Sequence, residues 1–439
     1  MAESSEKILG KVIIAKDIAK DIKKSVGDIA AFEKKVSAYI KRDTTDLLST
    51  ILFGAIVLES SDIHIEPEED KVRLRIRLDG ILRDVVFFEE ETYYSLLSRL
   101  KLVSNIKLNI TDKPQDGRFT IITEDLMVEI RTSSLPSEHG ESIVLRILNP
   151  KNLMKLETLG LRKDVYNILE KELTKPNGMI AVAGPTGSGK TTTLYAFLMK
   201  LQNPGIKIIT IEDPIEYHLK GVSQTQAAPE KGYSFAEGLA SIVRQDPDVI
   251  LVGEIRDLET AKISLQAALT GHLVLATIHT NDAAGTIPRL VDLGVSLSSI
   301  APALKMVAGE RLIRKVCKKC CLLVKPSEKE LAEIKNGLKG IPNEIGIPAR
   351  KSSKIKIAKV KEKMCSFCNF TGYKGRKGIF EIMLIDPKME KLILTNPPVS
   401  DIKEMAVKNG MITMYQSGLI EVVLGQTTLD EVKRVVEAD

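Results

Sequence analysis

The sequence predicts an α/β protein of several domains, and three observations lead to this prediction. From about residue 160, short apolar runs alternate with glycine-rich turns and helical patterns, which is typical of a parallel sheet covered by helices. Residues 44–150 combine helical patterns with short strands, which indicates a small α+β domain. Residues 311–376 carry two Cys-x-x-Cys pairs and few long periodic runs. A chain of 439 residues has room for roughly two to four domains.

Composition and charge exclude several classes of protein. With 44% hydrophobic and 28% charged residues, the chain is typical of globular proteins and not of disordered ones. No apolar run is long enough for a membrane-spanning helix, and the N-terminus lacks a secretory signal, so we expect a cytoplasmic protein. Residues 311–380 hold 19 Lys and Arg against 5 Asp and Glu, whereas the remainder is net acidic. This basic module favours an anionic partner: a membrane surface, an acidic protein face or a nucleic acid.

The N-terminal part divides into two predicted segments. Residues 1–43 are predicted to form one amphipathic helix, because apolar residues from Ile14 to Ile40 recur at three- and four-residue steps. This helix either packs on the protein's own body or docks on a partner or a membrane surface. Residues 44–150 form the small α+β domain. Its predicted helices lie near 46–58 and 93–108, and its predicted strands at 62–66, 72–78, 81–88, 119–123, 127–132 and 143–148.

The second half is predicted to contain a buried parallel sheet. Apolar runs at 179–183, 206–211, 249–252 and 273–278 are nearly continuous, which suits strands covered on both faces. We assign residues 151–310 to this domain, residues 311–376 to a cysteine-bearing insertion, and residues 377–439 to a C-terminal helical part of the same domain.

A glycine-rich segment between a strand and a helix provides the strongest functional signal. It fits the pattern GxxxxGK[ST] in the strand–turn–helix context that a phosphate-binding loop requires. Backbone N–H groups and the helix N-terminus bind the β-phosphate, a lysine neutralises the β- and γ-oxygens, and a hydroxyl ligates Mg²⁺. The candidate nucleotide-binding residues are Gly184, Pro185, Thr186, Gly187, Ser188, Gly189, Lys190, Thr191 and Thr192.

Two acids and two histidines follow other strands of the predicted sheet or flank them. Glu254 follows the strand at 249–252 and is positioned to reach Mg²⁺. Glu212 follows the strand at 206–211, where a carboxylate can activate water; it is our candidate base, or else a structural acid near the metal. His279 follows the strand at 273–278, at the edge where phosphate-site loops gather, so we expect a γ-phosphate sensor or a subunit-interface residue. His272 precedes that strand and is a weaker candidate for the same roles.

Four cysteines predict a metal site. Cys317, Cys320, Cys365 and Cys368 form two Cys-x-x-Cys pairs, and four thiolates suit tetrahedral Zn²⁺ with no open ligand position, which indicates a structural role. The 44 residues between the pairs exceed the usual spacing, and a redox pair is the main alternative. We interpret Cys321 as a spare thiol.

Several motifs together resemble one known family. The phosphate loop, ITIEDPIEY at 209–217, RQDPDVILVGEIRD at 244–257 and TGHLVLATIHTND at 270–282 resemble the Walker A, aspartate, Walker B and histidine boxes of the secretion ATPase superfamily. SDIHIEP at 61–67, RIRLDG at 75–80, PQDGRF at 114–119 and the four cysteines resemble its type II secretion and type IV pilus assembly branch. The resemblance extends from about residue 45 to the C-terminus.

The resemblance implies an architecture and an activity. It implies a RecA-like P-loop ATPase domain, preceded by a small PAS-like α+β domain and carrying a zinc-binding insertion. It implies a hexamer that hydrolyses ATP with Mg²⁺ at the inner face of the cell membrane. That hexamer acts on an inner-membrane platform protein, with a further membrane-associated recruiter, to assemble a pilus or pseudopilus.

The resemblance also implies a role for two arginines. Arg118 and Arg131 match arginines that the family's N-terminal domain presents to the γ-phosphate, where an arginine finger supplies about 10³–10⁵ in rate. Four other arginines compete for this role: Arg75, Arg77, Arg83 and Arg146. One departure from the family pattern is Glu310, which stands before Arg311 where glutamine is commoner.

Three alternative functions remain open at this point. A pilus retraction ATPase of the same superfamily is disfavoured by the paired cysteines and by SDIHIEP. A nucleic-acid translocase is disfavoured by 4% aromatic residues and the absence of Trp, so we expect no nucleic-acid partner. A non-hydrolysing nucleotide sensor is disfavoured by the combination of Lys190, Glu212 and Glu254.

Overall fold

The computed structural model describes residues 10–341, 355–360 and 365–437. The chain divides into two compact units, of which the first contains residues up to 152 and the segment 361–374, and the second contains residues 153–360 and 375 onward. No helix within the described ranges combines the length and apolarity needed to span a bilayer. The boundary at 152 lies two residues beyond the predicted end of the α+β domain at 150.

The N-terminal segment of the first unit is not one helix, so that prediction was wrong. Strand β1 (Lys11–Ile13) is followed by helices α1 (Lys16–Ser25) and α2 (Ile29–Tyr39). The chain turns at Gly27, and the carboxylate of Asp28 caps α2 by accepting the N–H of Ala31 at 2.8 Å. The predicted apolar stripe is nevertheless buried in the core of this unit. The segment therefore packs on the protein's own body, one of the two predicted alternatives.

The first unit is built on a mixed sheet with one buried face. Its remaining elements are α3 (Thr44–Val57), β2 (Asp62–Pro67), β3 (Val72–Leu78), β4 (Ile81–Phe88), α4 (Glu90–Val103), β5 (Gln115–Ile122), β6 (Met127–Ser137) and β7 (Gly140–Leu148). The strand order among described residues is β1-β5-β6-β7-β2-β3-β4. Every second residue of β3 is buried, as period-two alternation predicts for a half-buried strand. The opposite face of the sheet is polar and rich in arginine.

The second unit begins with a helix-covered parallel sheet. Its first elements are α5 (Lys163–Leu173), β8 (Gly178–Ala183), α6 (Lys190–Leu201), β9 (Ile208–Glu212), β10 (Ser223–Gln226), α7 (Phe235–Val243), β11 (Val249–Val252), α8 (Leu258–Leu269), β12 (Leu273–Ile278), α9 (Thr286–Asp292), α10 (Leu297–Ala303) and β13 (Leu304–Val316). Every residue of β8, β9, β11 and β12 is buried. These strands pair in parallel, so their C-terminal ends lie at one edge. The predicted α/β class is confirmed.

The C-terminal part of the second unit adds a strand to this sheet. Its elements are β14 (Leu322–Val324), α11 (Glu328–Gly337), β15 (Ile357–Lys359), β16 (Tyr373–Leu384), α12 (Pro387–Ile393), α13 (Val399–Lys408), α14 (Met414–Val423) and α15 (Leu429–Val435). The strand order among described residues is β10-β9-β11-β12-β8-β13-β16. Strands β13 and β16 cross the predicted boundaries at 310 and 376, so the cysteine-bearing region continues directly from two strands of the large sheet.

Candidate nucleotide and metal sites

The glycine-rich segment connects β8 to α6 at the C-terminal edge of the parallel sheet. Gly184 and Gly189 adopt φ values of 154° and 110°, which side-chain-bearing residues rarely take. A Cβ on Gly184 would come within 2.6 Å of the Glu310 carbonyl oxygen and of Ser188 Oγ, so only glycine fits there. The turn is therefore shaped to bring backbone N–H groups together at the start of α6, where an anion is favoured.

Lys190 is the first residue of α6 and bends back over the turn. Its Nζ donates to the carbonyl oxygens of Gly184 and Pro185, each at 2.8 Å. The side chain is buried, and this burial lowers the pKa of Lys190 from its usual value. The next residue, Thr191, is exposed, so its hydroxyl is accessible at the helix N-terminus. A phosphate that replaced the two carbonyl contacts would gain a buried cation.

Glu254 lies two residues beyond β11, at the same edge of the sheet. One carboxylate oxygen, Oε2, lies 2.6 Å from Arg256 Nε and 3.4 Å from His279 Nε2. His279 directly follows β12, which lies between β11 and β8. The fold thus brings Glu254 and His279 together beside the phosphate loop, as the sequence predicts. Sequence reasoning missed Arg256, although it stands two residues after Glu254.

Glu212 is the last residue of β9, the strand beside β11, and its carboxylate accepts several hydrogen bonds. Oε1 accepts hydrogen bonds from Thr210 Oγ1 at 2.6 Å and from Gln224 Nε2 at 3.1 Å, and Oε2 accepts from the hydroxyl of Tyr195 on α6. Burial and this carboxylate raise the pKa of Tyr195, which keeps its hydroxyl protonated as a donor. In this conformation Glu212 anchors α6 to the sheet, and its role as a base or as a structural acid near the metal stays a prediction.

His272 lies at the opposite edge of the sheet. It directly precedes β12, its carbonyl accepts the N–H of Gly178 at the start of β8, and its Nδ1 lies 3.0 Å from the carbonyl of Ala267 in α8. Since β12 spans six residues, about 20 Å of extended chain separate His272 from His279. The structure therefore does not bring His272 to the phosphate-binding edge, and its assignment to that catalytic site is corrected.

The candidate arginines lie on the polar face of the first unit's sheet. Strand pairing places Arg118 opposite Arg131 and Arg131 opposite Arg146, so the three form one row across β5, β6 and β7. Asp62 on β2 continues the row opposite Arg146. Like charges placed directly opposite one another repel, so an anion beside Arg118 and Arg131 would be favoured.

The ion pairs distinguish the arginines that compete for the same role. The carboxylate oxygens of Asp62 lie 3.2 Å from Arg146 Nε and 3.2 Å from Arg77 Nε, and Glu66 forms an ion pair with Arg75. Arg83 lies opposite the buried Ile76, and not in the row. Arg118 is exposed and makes no ion pair within the described part of the chain. Arg146 is exposed as well, but its guanidinium pairs with Asp62, so among the exposed candidates Arg118 is the one without an ion pair in the described part of the chain.

The four predicted cysteines converge. The sulfur atoms of Cys317, Cys320, Cys365 and Cys368 lie within 4.8 Å of one another. With Zn–S bonds of about 2.3 Å, tetrahedral thiolates lie a little under 4 Å apart, so the cluster fits zinc. The N–H of Gly372 donates to Cys368 Sγ at 3.3 Å, as expected for a sulfur that carries negative charge. Cys321 is not part of the cluster.

Comparisons with known sequences identify similar proteins. A family model described as "Type II/IV secretion system protein" matches residues 39–434. The type II secretion system protein HxcR of Pseudomonas aeruginosa is 40% identical over 390 residues, which are 89% of this chain and 76% of HxcR. The type IV pilus assembly ATPase PilB of Thermus thermophilus is 38% identical over 434 residues, which are 97% of this chain and 46% of PilB.

Solved structures give a consistent result. The pilus retraction motor PilT with bound ADP is 27% identical, has a TM-score of 0.58, and is matched over 88% of this chain and 95% of PilT. The ATPase DotB of Legionella pneumophila is 20% identical with a TM-score of 0.64, over 90% of this chain and 96% of DotB, and shows the fold alone. Sequence identity is higher to the secretion and assembly proteins than to the retraction motor.

Proposed function

Because the chain belongs to the type II/IV secretion system protein family, we propose that it is an Mg²⁺-dependent ATPase that powers pilus or pseudopilus assembly. The observation that carries this proposal is the shared edge of the parallel sheet, where the glycine-rich turn, Lys190, Glu254 and His279 meet. The similarity to HxcR and PilB supports assembly over retraction.

Each residue at this edge has a chemical role in the proposal. The turn and Lys190 bind the β- and γ-phosphates, and the Thr191 hydroxyl and the Glu254 carboxylate would hold Mg²⁺. The metal would neutralise charge on the phosphate oxygens. His279, already beside Glu254, is positioned to respond to the γ-phosphate. Glu212 stays the proposed base, and it must first release the hydrogen bonds from Thr210 and Tyr195.

The working unit is proposed to be a homo-hexamer at the inner face of the cell membrane. Such a ring would act on a membrane platform protein. A membrane-associated recruiter would hold the ring close to that protein. The basic region of residues 311–380 supports an anionic partner at this location.

Substitution of the phosphate-loop lysine and the strand-end acid tests the ATPase proposal. Lys190→Ala should abolish phosphate release, because the β- and γ-oxygens lose their buried cation. Glu254→Gln should bind ATP but hydrolyse it at least about 100-fold more slowly, because charge neutralisation in the transition state is lost. Binding is measured with a fluorescent ATP analogue. Turnover in either variant at the wild-type rate would refute the assignment.

Zinc is proposed as the structural metal of the cysteine cluster. Purified protein should contain one zinc per chain by metal analysis, and Cys365→Ser combined with Cys368→Ser should remove it and expose this region to protease. Cys321→Ser is the matched control, because Cys321 lies outside the cluster, and it should keep the metal. Metal-free wild-type protein with a disulfide between Cys317 and Cys320 would contradict the zinc proposal.

A further inference from the structure

A buried acid lies directly behind the phosphate loop and has no role in the proposed reaction. Glu310 on β13 has 3% of its surface exposed. A Cβ on Gly189 would collide with Glu310 Oε1, and a Cβ on Gly184 would lie 2.6 Å from the Glu310 carbonyl oxygen. One residue of β13 therefore packs against both the first and the last glycine of the loop.

Glu310 lacks the partners that a buried carboxylate ordinarily has. Oε2 accepts no hydrogen bond, and the carboxylate makes no ion pair within the described part of the chain. Other buried acids in the second unit are satisfied: Glu431 accepts from Arg314 and Arg434, and Glu421 pairs with Lys377. A charged carboxylate without such compensation is strongly disfavoured.

The groups around Glu310 do not compensate its charge in full. From α6, Lys190 and the Thr193 hydroxyl act to lower the pKa of Glu310, but the Lys190 amine donates to the two carbonyls described above. From β16, Gly378 faces the carboxylate and presents no side chain. The neighbouring Arg311 side chain donates to the carbonyl of Asn281. Burial outweighs these effects and raises the pKa of Glu310 to about 8.

We propose that Glu310 is a positioning residue of the nucleotide site that acts through Lys190, and that it must hold a proton for a nucleotide to bind tightly. The proposal rests on the nucleotide-binding function proposed above. A neutral carboxyl leaves the charge of Lys190 available to the phosphates. An ionised carboxylate would place a second anion behind the loop, attract Lys190 away from the nucleotide and repel the phosphates.

This proposal predicts proton uptake when a nucleotide binds. The negative charge of the phosphates favours the protonated form of Glu310, so above pH 8 each binding event should take up a proton. By linkage, the affinity should then fall, approaching tenfold for each further pH unit. The phosphates themselves lose their last proton near pH 6, below this range.

Calorimetry with ADP and Mg²⁺ tests the proposal, at pH 7 to 9.5 and in two buffers with different ionisation enthalpies. We expect wild-type protein to take up close to one proton and to lose affinity above pH 8. Glu310→Gln, which keeps the shape without the charge, should show neither effect. Glu172→Gln is the matched control, because Glu172 is an equally buried acid that has its own partner in Lys175, and it should behave as wild type.

Lys190 offers a competing source of the same pH dependence, and the Glu310→Gln variant separates the two. Glu310 raises the pKa of Lys190, so its removal would make Lys190 lose its proton at a lower pH. If Lys190 were the titrating group, Glu310→Gln would therefore lose affinity at lower pH than wild type, and this result would overturn the proposal. A pH dependence identical to wild type would overturn it as well.

Two further measurements keep the proposal falsifiable. If Glu310→Gln does not fold, infrared spectra of wild-type protein should show a protonated carboxyl band at pH 7 that disappears above pH 8 and returns when ADP is added. Absence of the band, or of proton uptake in wild-type protein, would refute the role of Glu310. Failure to bind nucleotide at any pH would instead refute the proposed ATPase function.

Discussion

The two seven-stranded sheets that the described residues form carry their candidate functional side chains in different places. In the second unit, β8, β9, β11 and β12 are buried along their whole length, so no reactive side chain can project from their centres into solvent. The candidate groups therefore lie just beyond the strand ends, at Lys190, Glu254 and His279. A sheet covered on both faces concentrates chemistry at one edge.

The sheet of the first unit follows the opposite arrangement. Its strands are buried on one face only, so the other face can carry charged residues at mid-strand positions. The row of Arg118, Arg131 and Arg146 uses this freedom, and strand register aligns the three guanidinium-bearing residues. Because such a row crosses three adjacent strands, it offers a broad charged surface to a ligand, whereas the edge of the other sheet offers a narrow turn.

Among the substitutions that test this comparison, the loss of Arg118 has the largest expected effect. It tests whether the charged face of the first unit's sheet takes part in catalysis. Arg118→Ala should bind ATP nearly as well as wild type but lose about 10³-fold in turnover, because its guanidinium is proposed to stabilise charge that develops in the transition state. Arg73→Ala is the matched control, since Arg73 lies on the same face and pairs with Glu68, and it should retain turnover. Phosphate release and binding of a fluorescent ATP analogue measure both.

A mixing experiment then decides in which subunit Arg118 acts. If Arg118 of one subunit serves the phosphate loop of its neighbour, Arg118→Ala chains mixed with Lys190→Ala chains create some sites with an intact loop and an intact arginine, so part of the activity returns. If both act within one chain, no mixture restores turnover. Absence of rescue, with hexamers verified by light scattering, would exclude action between subunits.

Sequence patterns predicted the second unit well because its strands have an unambiguous composition. Predicted strands at 249–252 and 273–278 coincide with β11 and β12, and the GxxxxGK[ST] pattern placed the turn between β8 and α6. In these segments the local apolar run, the glycine turn and the helix start all indicate the same structure. The positions of the motif residues beside these segments could therefore be predicted from the sequence, and Glu254 and His279 lie at the expected edge.

Other features depend on contacts that a linear pattern does not contain. The N-terminal stripe has helical spacing throughout, but the Asp28 cap interrupts it and starts a second helix. The arginine row arises from the pairing of β5 with β6 and of β6 with β7, which no local motif specifies. From the sequence alone, a glutamate such as Glu310 is expected at the surface. It is buried because β13, on which it lies, packs against the phosphate loop.

The smallest expected effect comes from the two histidines that flank β12. It tests whether a position at the C-terminal edge of the sheet is what gives a residue its function. Each is a single residue outside the same strand, but His279 lies at the phosphate-binding edge and His272 lies at the other. His279→Ala should reduce kcat by about tenfold to a hundredfold, because an electrostatic contact near the γ-phosphate is lost, while the KM for ATP changes little. His272→Ala should keep kcat close to wild type.

The comparison of the two histidine variants is internally controlled, since both substitutions remove the same side chain from the same strand. Thermal unfolding should first verify that both variants fold, because the His272 side chain also contacts the carbonyl of Ala267 at the end of α8. Phosphate release at saturating Mg²⁺ and ATP then gives kcat. Equal losses in two well-folded variants would show that position at the C-terminal edge does not determine function here. If the specific activity of His272→Ala alone were low at low protein concentration and rose to the wild-type value at high concentration, His272 would instead lie at a subunit interface, because assembly would then limit the rate while the chemistry was unchanged.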